Sequence, residues 1–358
     1  MKKLFSGLHR WLALPFGIFI AISCLTGGLL AFEKEILEAR YPERYFVNQT
    51  AEAPLPTSQI VERAQAQLPD SVLITGIRIE KEPDRNYLLQ VSKGDKYFVN
   101  PYTGDLAAAD QRDDFFSKVI RLHRYCMQDY KKGSDEIPWG RWIMGTATLA
   151  FLFILLSGLV KWFPKNRQLL RHRLRVKCSS RFRFWHDLHV AGGFYAFLLL
   201  LLIAGTGLTW SFSWYRTPFY TLLGADHAEV IQKKERKKPV VPDTIYYQQW
   251  NKVVGELRQR YADFNTLTLE GDKVTVTYAD YGNVKAQDEY KFDVTTGAIT
   301  KTLLNADRTL YSRLRNWVFC LHTGSWGGIA SRILYLLATL TALICVATGY
   351  YFGRKRTS

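Results

Sequence analysis

Four blocks of the chain are apolar at nearly every position: Trp11–Phe32, Trp142–Phe163, Val190–Phe212 and Ile333–Phe352. Each approaches the roughly 20 residues that a helix needs to cross about 30 Å of hydrocarbon. The one charge inside them is Lys161, near a block end where its amine can reach the headgroups. Between the blocks the pattern changes. Residues 57–68 keep a helical spacing after a Pro-rich entry, and Val72–Glu80, Tyr87–Val91 and Lys96–Asn100 read as strands. Further on, Gln249–Tyr261 reads as a helix, and Thr266–Leu269, Lys273–Tyr278 and Glu289–Asp293 as strands. The pattern predicts an α-helical membrane protein with four transmembrane helices and two α+β segments outside the bilayer.

Charge then orients the chain. The net charge is +16, and its excess is local. Lys2, Lys3 and Arg10 precede the first block. Eight Lys and Arg lie within 164–183, between the second and third. Arg354, Lys355 and Arg356 follow the fourth, and none of these segments holds an Asp or Glu. This is the positive-inside pattern rather than a nucleic-acid footprint. It predicts both termini and the 164–185 loop in the cytoplasm, and 33–138 and 213–331 outside. The spans are then 1–32, 139–163, 186–212 and 332–352, with a tail at 353–358. The first run is long for a signal peptide and no A-x-A site follows it.

The chain also repeats itself. "LHRWLALPFGIFIAISCLTGG" from Leu8 aligns with "LHVAGGFYAFLLLLLIAGTGL" from Leu188, and in each a His precedes a Thr-Gly pair by 17 residues. Ser6 stands where His186 would need a counterpart, so the alignment selects His189. "RLHRY" and "CLHTG" carry His123 and His322 ahead of the second and fourth blocks, which end in Ser157-Gly158 and Thr348-Gly349. "YFVNPYTGDL" and "YKFDVTTGAI" each read as strand, Thr-Gly turn and strand start. Both halves start and end inside, which predicts two parallel repeats about an axis normal to the membrane.

That topology sorts the histidines by depth. His9 and His189 fall near the cytoplasmic face, His123 and His322 near the outer one, one from each repeat in each pair. Two facing imidazoles suit the axial positions of a haem. With no C-x-x-C-H, the expected cofactors are two non-covalent haem b. Arg10 and Arg124 follow two of the histidines and are candidates to neutralise propionates. Gly192 and Gly193 share the face of His189 and could admit a flat macrocycle. A zinc or copper site is the rival, although zinc wants more ligands and Asp187 is the only acid near the inner pair. His186 is left as a partner of His189, an alternative ligand or neither; His172 and His227 read as solvated. The Ser/Thr-Gly pairs read as helix-packing contacts. Trp139, Trp162, Trp210 and Trp214 read as interfacial anchors. A disulfide between Cys126 and Cys320 is left open.

The stretches "LHRWLALPFGIFIAISCLTGGLLAFE", "LHRYC…GRWIMGTATLAFLFILLSGLVKWFP", "DLHVAGGFYAFLLLLLIAGTGL" and "LHTGSWGGIASRILYLLATLTALICVATGYY" resemble the PepSY-associated transmembrane family of bacterial inner-membrane proteins. "YFVNPYTGDL" resembles the PepSY strand–turn motif. The likeness implies a periplasmic PepSY-like module in each half. Some members are similar to inner-membrane ferric-siderophore reductases with two b haems. It therefore implies His9, His189, His123 and His322 as haem ligands, an unidentified electron donor on the cytoplasmic side, and a periplasmic ferric siderophore as acceptor. Two departures stand out: the stretch after His123 is long and charged, and "LHVAGG" lacks an arginine beside its histidine. The alternative from another class is a membrane-anchored PepSY module that binds a periplasmic or uptake partner without redox chemistry.

Overall fold

The computed structural model describes residues 2–47, 53–92, 94–110, 113–130, 136–164, 166–231, 247–280 and 282–354. Lys165, Lys355 and Arg356 of the basic excess, part of the charged run after His123 (131–135) and 232–246 of the second polar segment lie outside the described residues. The chain divides into two compact units. One holds Met1–Glu33, Asp113–Val230 and Trp317–Ser358; the other holds Lys34–Arg112 and Ile231–Asn316.

The first unit contains four helices long and apolar enough to cross a membrane: Lys3–Ala31, Trp139–Trp162, Arg181–Ser211 and Ser325–Gly353. They are referred to below as the first to fourth spans. Three of them begin well before the apolar blocks, because Lys, Arg and Ser are tolerated in a first turn. The first packs on the second and fourth, and the third packs on the same two, which closes a ring. Its centre is apolar: Ile20, Cys24, Ala196, Leu200, Ala338 and Ala342 are buried together. The outward surface stays oily, with Ile18, Leu25, Leu198 and Leu337 each more than half exposed. In water that surface would be costly, and in lipid it is not.

Two further helices belong to this unit although they lie in segments read as extramembrane: Asp114–Tyr125, and the end of Leu310–Thr323. Asp113 caps the former, its carboxylate accepting from the Phe115 and Phe116 amides. The third span is interrupted by one π-helical turn at Leu188–Gly192.

The second unit is built on one antiparallel sheet of eight strands. These are β1 (Ile74–Glu80), β2 (Tyr87–Val91), β3 (Lys96–Val99), β4 (Leu106–Ala109), β5 (Phe264–Glu270), β6 (Lys273–Asp280), β7 (Asn283–Phe292) and β8 (Ile299–Leu303). Their order is β4-β3-β2-β1-β5-β6-β7-β8. The two polar segments therefore do not form separate modules. They share a sheet through β1 and β5, whose register pairs Gly76 with Glu270, Arg78 with Thr268 and Glu80 with Thr266. The Thr-Gly turns recur as expected: Gly104 and Gly297 take φ of 80° and 69° and turn β3 into β4 and β7 into β8.

Helices Thr57–Gln65 and Gln248–Arg260 pack against each other. Asn251 joins them: its Oδ1 accepts from the Ser58 amide at 3.0 Å and its Nδ2 donates to Ser58 Oγ at 2.8 Å. Below them Ile60, Val61, Ile77, Leu89, Trp250, Val253, Leu267 and Tyr290 are buried in one continuous core. Burial of one strand face and one helix stripe from each segment thus makes a single core.

The β1–β5 seam depends on Gly76, where an added Cβ would stand 2.6 Å from the Leu269 carbonyl oxygen. Gly76→Ala is expected to cost about 1–3 kcal/mol. Gly255→Ala, in an exposed helix position with nothing within 4 Å, should stabilise by about 0.5–1 kcal/mol. Thermal unfolding of the two variants against the parent protein checks both signs.

Candidate functional site

Each of the four paired histidines is seated on a Ser or Thr hydroxyl of another helix, and three of them also lie on the glycine that follows it. His123, on Asp114–Tyr125, reaches the first span: its Nδ1 lies 2.9 Å from Thr26 Oγ1. Its Cε1 is 3.3 Å from where a Cβ on Gly27 would begin. His322, on Leu310–Thr323, does the same to the third span. Its Nδ1 is 3.0 Å from the Ile203 carbonyl and 3.3 Å from Thr206 Oγ1, and its Cε1 is 3.0 Å from an ideal Cβ on Gly207. His9 reaches the second span, with Nδ1 3.0 Å from the Ile154 carbonyl and 3.2 Å from Ser157 Oγ, over Gly158. His189 reaches the fourth span, with Nδ1 2.8 Å from Thr348 Oγ1.

These contacts determine the tautomer. The hydroxyl protons are already used, because Thr26, Thr206 and Thr348 donate to carbonyls one turn back at 2.6, 2.6 and 2.7 Å, and Ser157 donates to Ile154 at 3.0 Å. A hydroxyl whose proton is committed can only accept, and a carbonyl can only accept. Nδ1 must therefore carry the proton in all four rings. In the neutral ring that tautomer leaves the lone pair on Nε2, which is the form that ligates a metal.

The rings meet in two pairs. The centroids of His9 and His189 are 6.5 Å apart, and those of His123 and His322 are 6.3 Å apart. Two imidazoles on opposite sides of one metal ion, with metal–nitrogen bonds of about 2.0–2.1 Å, place their ring centres about 6.3 Å apart. Both observed spacings match that separation. Among the described residues no group of three or more His, Cys, Asp or Glu could hold a metal. A closed tetrahedral zinc site is not formed there.

Burial favours the neutral form of the His123 and His322 imidazoles. His123 is lowered to about 3 by desolvation first, with His322 and Arg124 adding. His322 is lowered chiefly by burial, against the carbonyl bond from Ile203.

A family model described as PepSY-associated TM region matches residues 6–356. The chain belongs to the PepSY-associated TM family. No curated protein matches it. In this PepSY-associated protein the sequence singled out the four histidines that the structure pairs, but several neighbouring expectations change. Gly192 and Gly193 do not open space beside His189. A Cβ on Gly192 would stand 3.0 Å from Thr341 Cγ2 and one on Gly193 3.6 Å from Cys345 Sγ, so both let the fourth span approach. Three of the four Ser/Thr-Gly pairs are seats for the histidines, and in the fourth only Thr348 is used, a role that helix packing alone does not describe.

Arg10 and Arg124 are exposed, with the Arg124 guanidinium 5.9 Å from the Tyr125 ring centre. His186 stays outside the inner pair. Its Nδ1 is 3.3 Å from the Asp187 carboxylate, which also accepts from Arg183 Nε at 2.9 Å. His172 and His227 are exposed. No disulfide joins Cys126 to Cys320 among the described residues. Trp139 and Trp214 are exposed as anchors would be. Trp210 instead lies 5.1 Å from the His322 ring, and Trp162 stacks on Phe194 at 3.7 Å.

Sequence reading missed the helices that carry His123 and His322. The signal was present in "DFFSKVIRLHRY", an amphipathic run behind an Asp cap. It also missed the π-turn that holds His189, a local widening that often marks a functional site.

Thr26→Val keeps the shape and removes the hydroxyl, leaving the Nδ1–H of His123 to the Ser23 carbonyl. It should cost about 0.5–1.5 kcal/mol, while Thr26→Ser should stay within about 0.5 kcal/mol. Unfolding temperatures of the two variants check this, and equal losses would mean that the methyl, not the hydroxyl, matters.

Proposed function

We propose that this protein is a transmembrane di-haem oxidoreductase of the bacterial inner membrane, passing electrons from a cytoplasmic-side donor to a periplasmic ferric chelate of the siderophore class. The observation that supports this most directly is the pairing of four imidazoles. Each is anchored through Nδ1, and the two pairs have ring spacings of 6.5 and 6.3 Å.

In this reading His9 with His189, and His123 with His322, would each hold one haem b, which would supply reversible one-electron chemistry. The rest is the work of the chain. Serine and threonine hydroxyls fix the rings and raise their basicity as ligands. The apolar packing of Ile20, Cys24, Leu200 and Ala338 keeps water from the bundle centre. The two sites lie at different depths: along the first span His9 and Thr26, which seats His123, are 17 residues apart, or about 25 Å.

The Lys and Arg excess supports a cytoplasmic position for the His9/His189 end and both termini. The halves of the chain are then parallel repeats, each contributing β-strands to a PepSY-like periplasmic part. Release of iron follows from ligand chemistry, because oxygen donors hold the hard ferric ion better than the ferrous one.

A dithionite-reduced minus air-oxidised spectrum of the purified protein, with haem counted as pyridine haemochrome, should show b-type bands and about two haems per chain. His9→Ala, His123→Ala, His189→Ala and His322→Ala should each lose about one. Colourless protein from haem-replete cells would sink the proposal and leave the membrane-anchored binding module.

A further inference from the structure

The hydroxyls that seat the histidines share a second regularity. One turn beyond each, four residues on, stands a residue on the same helix face: Leu30 after Thr26, Lys161 after Ser157, Trp210 after Thr206 and Phe352 after Thr348. A long helical side chain leans toward the N-terminus of its helix, so each of these covers the turn on which an imidazole lies. Where the covering residue is aromatic, the contact is measured directly. The Trp210 ring is 5.1 Å from that of His322, and the Phe352 ring is 6.5 Å from that of His189.

At His9 the same position holds a lysine. His9 engages Ile154, Ser157 and Gly158, and Lys161 continues that row at the next turn. Lys161 is half-buried, and it is the only charged residue in the four apolar blocks. The second span stays helical through Trp162. Arg173 closes the helix end, its Nη1 donating to the Lys161 carbonyl at 2.9 Å and to the Trp162 carbonyl. The lysine stem therefore keeps the direction that the row gives it.

The Lys161 charge acts on both His9 and His189. At the outer end the equivalent positions are Leu30 and Trp210, and the cation that acts on both rings is Arg124. Each pair thus has a cation of its own, drawn from a different place in the repeat. A fixed positive charge beside a centre that takes up an electron favours the reduced form, because reduction lowers the charge of the centre by one. At a half-buried position that interaction is screened less than at the surface.

We propose that Lys161 sets the reduction potential of the inner pair, favouring an electron there after it is accepted from the cytoplasmic side and before it passes to the outer pair. Lys161 is a tuning residue in this role: it neither ligates nor carries the electron. The proposal rests on the di-haem reading.

The test is a potentiometric titration of the full-length, haem-loaded protein, followed at the b-type bands. His322→Ala isolates the inner haem and His9→Ala the outer one. Lys161→Met keeps the stem and removes the charge. With the inner haem isolated, it should shift the ferrous-to-ferric ratio at fixed potential about tenfold toward ferric, a midpoint lower by about 59 mV. Lys161→Arg should keep that ratio within about threefold of the parent. With the outer haem isolated, Lys161→Met should change the ratio by less than about twofold.

Those three results together support the proposal. An inner midpoint that does not fall, a Lys161→Arg shift as large as that of Lys161→Met, or an equal fall at the outer haem overturns it and leaves the di-haem reading standing on its haem count. Colourless protein ends both. If Lys161→Met does not fold or does not hold the inner haem, Phe352→Lys places an ammonium at the equivalent position over His189. It should shift the inner ratio about tenfold toward ferrous, and no shift overturns the proposal.

Discussion

A single hydrogen bond, repeated four times, carries the arrangement: an imidazole Nδ1–H donated to a main-chain or hydroxyl oxygen on a neighbouring span. Each ring is thereby given one tautomer and one direction inside a bundle where an unsatisfied donor would be costly. The glycine beside three of those hydroxyls lets the ring lie against the helix backbone. The helices Asp114–Tyr125 and Leu310–Thr323 are kept with the spans by the same contacts, because His123 and His322 sit in their last turns. Everything proposed about electron transfer follows from rings held in this way.

Much of this was legible in the residues, for identifiable reasons. The spans were visible because lipid demands an unbroken apolar run, and that demand is local. The histidines were visible because a repeat brings equivalent positions together without knowledge of the fold between them. The Thr-Gly turns at Thr103 and Thr296 were visible because Gly104 and Gly297 take left-handed backbone that few other residues adopt.

What stayed hidden was long-range. Nothing in "ITGIRIE" says that its neighbour is "FNTLTLE", almost two hundred residues later, because strand pairing is a tertiary choice. A small-residue pair reads as helix packing until a ring is seen lying on it. Arg124, chosen by adjacency to His123, does act on both His123 and His322, whereas Arg10 is exposed.

The register between β1 and β5 has an implication for ancestry. It is centred on Arg78 opposite Thr268, and Glu80 and Glu270 fall at equivalent places on either side. Such self-complementary pairing is the signature of an isologous contact between like subunits. A half-length chain carrying β1–β4 alone would leave β1 as a bare sheet edge, and a second copy could dock there in the same register. The covalent chain would then be a homodimer made permanent by gene fusion. In such a fusion the two halves would be free to diverge, and Arg10 after His9 against Val190 after His189 is a difference of that kind.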